Sequence, residues 1–324
     1  MQRNLRFPRD IHRGKRRFAD IPWENSPAPA RGQNGRMIVD GGLSNALEAR
    51  GHDLSGDLWT ARLLRDAPEE IKAVHRAYYA AGAEVATTAS YQASVPGLMT
   101  HGLSRTGAEA LVRRSVTLAR EVRDELAPDG RTRLVAASVG PYGAALADGS
   151  EYRGRYGLSK DALRDFHLPR LELLAEAGPD LLAVETIPDA DEAAVLVPLL
   201  DELGLPAWLS FSVAGDRTRA GQPVEEAFAV AAGSTSVRAV GVNCCSPDDV
   251  LPALRIAARV TGKPGVAYPN TGEGWDSGTH TWTGAASYDV GLAPQWVRAG
   301  AVYVGGCCRV GPDDIRALAA VLHG

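Results

Sequence analysis

The chain is short of cysteine. Its 324 residues include four, spent as two adjacent pairs, Cys244–Cys245 and Cys307–Cys308. It also lacks any apolar run of about 18 residues, so no membrane-spanning helix is expected. A formal net charge of −4 gives no global reason to expect a nucleic-acid partner. The first 36 residues have no apolar core of the kind a secretory signal carries, so a cytoplasmic location is expected. In that compartment thiols stay reduced, which favours metal ligation, catalysis or core packing over disulfides. No G-x-G-x-x-G follows the first strand, which weakens a dinucleotide-binding reading. No fixed-period repeat is present.

Hydrophobic residues make up 45% and charged residues 23%, enough apolar material for one large α/β domain. Basic charge is concentrated at one end. Residues 1–36 hold nine Lys/Arg and three Asp/Glu, a local +6 that leaves −10 for the remainder. With the stretch "SPAPARGQNG" this head is a poor core former and is expected to be a disordered basic extension. The domain is expected to span 37–324.

From residue 37 short apolar runs alternate with helical patterns. The predicted strands are 37–42, 84–90, 134–140, 181–186, 207–213, 239–244, 265–270 and 302–307. Each is nearly continuous in apolar residues, as parallel strands covered on both faces are. Between them "PEEIKAVHRAYYAAG" and "AEALVRRSVTLAREVRDEL" read as helices. "SPDDVLPALRIAARVTG" and "GPDDIRALAAVLHG" open on proline and acids, which suit a first helical turn. Eight such units predict a (β/α)8 TIM-type barrel, with a doubly wound open sheet as the other arrangement. In a barrel, strand carboxyl ends converge on one face, and catalysis belongs there.

Both cysteine pairs fall at such ends. Adjacent cysteines strain a normal disulfide, and the pairs lack C-x2-C knuckle spacing. Three thiolates with one open position would make a catalytic zinc site. Two small buried hydrophobes, or a thiol switch, are the alternatives. Gly305 and Gly306 are expected to let backbone approach a ligand closely. Other strand ends carry Asp40, Glu185, Thr88, Ser90 and Gln92, with Asn270 and Glu273 in a following loop. None of the seven histidines lies at a strand end, and His75 and His167 read as surface or packing residues.

Together, "DGGLSNALEARG", "TTASYQAS", "SVGPYGAALADGSEYRG", "ETIPD", "GVNC", "YPNTGE" and "GGCCRVGPDDI" resemble the homocysteine S-methyltransferases. The match is closest to the short, single-domain branch that uses S-methylmethionine. The resemblance implies a zinc-dependent barrel whose metal and catalytic thiolates are Cys244, Cys307 and Cys308, with Cys245 left over. It also implies that Asp40, Gly41, Gly42 and Glu185 hold the amino-acid end of homocysteine. The substrate sulfur would take the open zinc position and attack a sulfonium methyl, from S-methylmethionine or S-adenosylmethionine. A thioether leaves without a general acid, which accounts for a histidine-poor rim. Trp275 and Trp282 are candidate aromatic faces for the cation. Betaine as donor, and a zinc-binding or redox-sensing barrel without turnover, are the competing readings.

Overall fold

The computed structural model describes residues 35–54, 59–276 and 281–324. The expectation for the basic head therefore lies, but for its last two residues, outside the described residues.

All eight predicted strands are present: β1 (Met37–Ile38), β2 (Val85–Thr87), β3 (Leu134–Val139), β4 (Leu181–Ile187), β5 (Ala207–Phe211), β6 (Val237–Asn243), β7 (Gly265–Tyr268) and β8 (Ala301–Val304). Every pairing among them is parallel, and β8 lies between β1 and β7. A parallel bridge between Val39 and Val85 joins β1 to β2 and closes the ring. The barrel, not the open sheet, is the fold.

Period-two alternation splits the core in two. Met37, Val39, Val85, Ala136, Leu181, Ala183, Trp208, Ala239, Val266 and Tyr303 fill the barrel interior. Ile38, Val135, Val139, Leu182, Val184, Leu209, Val240 and Val242 face outward into the helical layer. Continuing the inward series toward the strand carboxyl ends reaches Ser138, Glu185, Ser210 and Asn243, all buried. The same alternation that packs the interior thus delivers polar groups to one rim.

The helices follow their sequence signals. Pro68–Ala81 begins with Pro68, carries Glu69 and Glu70 in its first turn, and ends at Gly82 with φ 109°. The acids complement the helix dipole, and glycine accepts the left-handed turn. Pro247–Thr261 is capped by Ser246, whose hydroxyl accepts from Asp248 N. That cap starts the helix directly after the first cysteine pair. No helix among the described residues is long and apolar enough to cross a membrane.

Candidate metal centre and substrate pocket

The Sγ atoms of Cys244, Cys307 and Cys308 lie within 4.8 Å of one another. Cys244 follows β6, and the other two follow β8. Between those strands runs β7, whose end ties both together. Cys244 N donates to Tyr268 O at 3.2 Å and Cys307 N to Pro269 O at 2.8 Å. Asn270 Oδ1 accepts from Cys308 N at 3.2 Å. Cys244 has φ 50°, an uncommon conformation for a residue with a Cβ, held by these surrounding bonds.

Electrostatics shows what the trio lacks. Hydrogen bonds from Cys307 and Cys308 hold the Cys244 thiol well below its usual range. The same contact pushes the Cys307 and Cys308 thiols up. Left to themselves, the three sulfurs thus oppose one another's ionisation: what lowers Cys244 raises Cys307 and Cys308. A divalent cation removes that restriction, because coordination deprotonates thiols outright. Three converging soft donors with no histidine or carboxylate among them fit a thiophilic metal.

Cys245 takes no part. Its side chain is 1% exposed and belongs to the outer apolar core. Burial pushes its thiol well up. The metal-ligand cluster found among the described residues has three cysteines, and Cys245 is not one of them.

Beside the trio lies a cavity of about 130 Å³. Asp40, Gly41, Gly42 and Glu185 line it together with the three cysteines. Asp40 accepts from Thr87 N and Thr87 Oγ1, both at 2.9 Å. Glu185 accepts from Ser138 Oγ, and from the Tyr268 hydroxyl at 2.9 Å. Burial pushes both carboxyls up, Glu185 to about 7, and the charge of Glu185 raises Asp40 further. Two buried acids whose charges repel across one pocket would each be stabilised by a cation placed between them.

Gly305 and Gly306 also admit close packing within the protein. A Cβ on Gly306 would meet the Val310 side chain at 2.1 Å, and one on Gly305 would meet Val39 O at 2.6 Å. Backbone and apolar side chains take up the missing volume there, while Gly306 also lines the cavity. Gly42 works similarly, since its Cβ would meet Cys307 O at 2.8 Å. The first strand's turn and the cysteine loop close on each other through these absences.

Thr88 lines the cavity, whereas Ser90 donates to Ser138 O at 2.7 Å and Gln92 to Ala144 O at 3.0 Å, fastening neighbouring loops. Glu273 pairs with Arg309 at 3.0 Å. His75 and His167 are fully buried packing residues, not surface ones, and burial lowers His75 to about 4. Trp275 and Trp282 are opposite one another in the backbone register of a two-stranded antiparallel ribbon. Their rings lie outside the described side chains.

Several residues at the site carried no sequence signal. Tyr152 stands 3.2 Å from Cys244 Sγ, on a loop after β3. Tyr91 lines the same cavity. Asn243 accepts from Thr186 N at 2.7 Å and from Ser210 Oγ at 2.8 Å. Its Nδ2 then points to Thr186 Oγ1 at 2.8 Å and Cys307 Sγ at 3.9 Å.

Residues 37–322 match the family model described as homocysteine S-methyltransferase. The chain belongs to the homocysteine S-methyltransferase family. It is 47% identical over 311 residues to homocysteine S-methyltransferase 4 of Zea mays, covering 90% of this chain and 91% of that one. It is 44% identical over 292 residues to the Escherichia coli homocysteine S-methyltransferase, covering 88% and 94%. The metallated form of the Escherichia coli enzyme MmuM superposes with a TM-score of 0.80 at 42% identity, over 88% of this chain and 96% of that one. The family match begins where the barrel begins, at β1.

Proposed function

We propose that the chain is a zinc-dependent enzyme that moves a methyl group from a sulfonium donor to the sulfur of homocysteine, giving methionine. The observation that carries this reading is the convergence of Cys244, Cys307 and Cys308 beside a cavity with two buried carboxylates. Family membership makes homocysteine the acceptor. Zinc is the metal that thiolate-rich catalytic sites most commonly hold. When bound by the three cysteines, it supplies the Lewis acidity that turns a thiol into a thiolate at neutral pH.

The chain's own residues do the rest. Asp40 and Glu185 take the substrate ammonium, each anchored by the hydrogen bonds that Thr87, Ser138 and Tyr268 supply. The Gly41–Gly42 turn forms the wall between that pocket and the cysteine loop. Tyr91 and Tyr152 line the cavity beside the trio. An aromatic face suits a sulfonium cation. S-methylmethionine is proposed as donor, with S-adenosylmethionine as its chemical relative. Catalysis comes from alignment of sulfur, methyl and leaving sulfur, because a neutral thioether departs without a proton. Residues 37–324 form the catalytic unit, acting in the cytoplasm where its thiols stay reduced.

The test is zinc content of the purified protein together with methionine formation from homocysteine and S-methylmethionine, with and without a chelator. One zinc per chain and chelator-sensitive turnover are expected. Turnover that survives complete metal removal overturns the reading.

A further inference from the structure

A methyltransferase that surrounds its acceptor sulfur with cysteine sulfurs faces a selectivity problem. Three protein thiolates stand within 4.8 Å of one another at the place where an electrophilic methyl must arrive. Each is itself a competent nucleophile. Methylation of any one would remove a metal ligand.

The structure gives two of these sulfurs a hydrogen-bonding neighbour outside the trio. The Tyr152 hydroxyl is 3.2 Å from Cys244 Sγ, which itself lies 3.6 Å from Cys308 Sγ. A phenol holds its proton more tightly than a thiol, so beside a thiolate the hydroxyl is the donor. The Asn243 amide cannot turn. Its oxygen is fixed by Thr186 N and Ser210 Oγ, leaving Nδ2 to face Cys307 Sγ at 3.9 Å. The Tyr152 side chain is half-buried at the wall of the cavity. Asn243 is fully buried, and Tyr152 sits on a loop stitched to the barrel by Gln92 and by Glu192, which accepts from Tyr142 N at 2.6 Å.

A hydrogen bond to a thiolate draws off charge and must be weakened before that sulfur can attack carbon. We propose that Tyr152 and Asn243 are selectivity residues: they hold donors on Cys244 and Cys307 so that the methyl goes to the acceptor sulfur and not to the protein. The inference rests on the methyltransferase reading above. The side reaction it prevents is balanced. A cysteine sulfur forms a bond to the methyl carbon, the sulfonium C–S bond breaks, and the donor leaves as a neutral thioether with no change of oxidation state. Tyr152→Phe keeps the ring and removes only the donor, whereas Asn243→Ser removes the amide that faces Cys307.

The experiment incubates the metal-loaded full-length protein with S-methylmethionine and no homocysteine, and follows methylation of each cysteine by peptide mass spectrometry. Zinc content is measured in parallel, and rates are expressed per zinc-bound chain. Methyl iodide is run as a second probe, since it needs no donor site. With it, failure of the inference stays distinguishable from failure of the functional reading, which shows as absent methionine formation in the wild type. Expected are an unmodified wild-type trio, methylation of Cys244 accelerated roughly tenfold or more in Tyr152→Phe, and methylation of Cys307 in Asn243→Ser. Equal rates in all three proteins overturn the inference. So does methylation of the same cysteine in both variants, because a merely loosened site would not tie each cysteine to its own donor.

Discussion

The Tyr268 hydroxyl donates to Glu185 at 2.9 Å while the Tyr268 carbonyl accepts from Cys244 N. One residue at the end of β7 therefore sets both the acid of the substrate pocket and the first cysteine of the trio. Trp208 Nε1 also donates to the Tyr268 oxygen, at 2.9 Å, and locks the ring from inside the barrel.

Removing that hydroxyl separates the two tasks. Tyr268→Phe keeps the backbone contact to Cys244 and takes one of two side-chain donors from Glu185. A hydrogen bond to a charged group contributes about 1.5–3 kcal/mol. The KM for homocysteine is expected to rise roughly tenfold while metal content holds. Steady-state kinetics with parallel metal analysis checks this, and loss of metal with unchanged KM would contradict it.

Cys308→Ser is expected to lose metal and turnover together, because a serine hydroxyl is a much poorer ligand for zinc than a thiolate. Cys245→Ser should behave differently. That side chain lies in the apolar outer core, so metal content should stay at wild-type level while the urea midpoint falls, an unpaired buried hydroxyl costing about 1–3 kcal/mol. Metal analysis and denaturant titration of the two variants separate the roles.

Burial pushes Glu185 up to about 7, so its negative charge is lost as pH falls through that value. The charge is what the substrate ammonium needs. Binding should therefore weaken on the acid side, with kcat/KM for homocysteine declining below about pH 7. Bound ammonium favours the ionised acid, so kcat should decline only at lower pH. Glu185→Gln should raise KM and flatten this part of the acid limb. Paired pH profiles for the two proteins decide it.

Glu192 holds the loop that carries Tyr152. It is 1% exposed and accepts from Tyr142 N at 2.6 Å and pairs with His167 Nε2 at 2.8 Å. Glu192→Ala leaves a buried N–H and an imidazole without their acceptor, a loss of about 2–4 kcal/mol. The urea midpoint should fall accordingly. A midpoint within error of the wild type would show that the loop has other support.

Much of the architecture was legible because parallel strands and their helices announce themselves locally. "LLAVET" reads as a covered strand from its apolar continuity, and Gly82 marks a helix end by the conformation it permits. The cysteine trio was legible through family resemblance, since Cys244 and Cys307 are brought together only by the pairing of β6 and β8 with β7. Tyr152 was illegible for the same reason without that help, as nothing in "DGSEYRG" says that its fifth residue ends beside Cys244. Gly305 and Gly306 were legible as positions of close approach, but not as to what approaches. Val39 and Val310 pack where side chains would have stood, while Gly306 also lines the cavity. His167 was read from its helical position alone, and its buried acid partner lies on another helix.

Because the thiols come from β6 and β8, with β7 between them, the three-sulfur geometry does not exist until the eighth strand has docked against β7. A barrel that still lacks its last strand presents Cys244 alone. Tight metal uptake is thereby reserved for molecules whose last strand is in place, and an ion held by the trio would in turn pin β8 to β6 across β7. The centre acts as a clasp as well as a reaction site, so an apo population should release its last strand first.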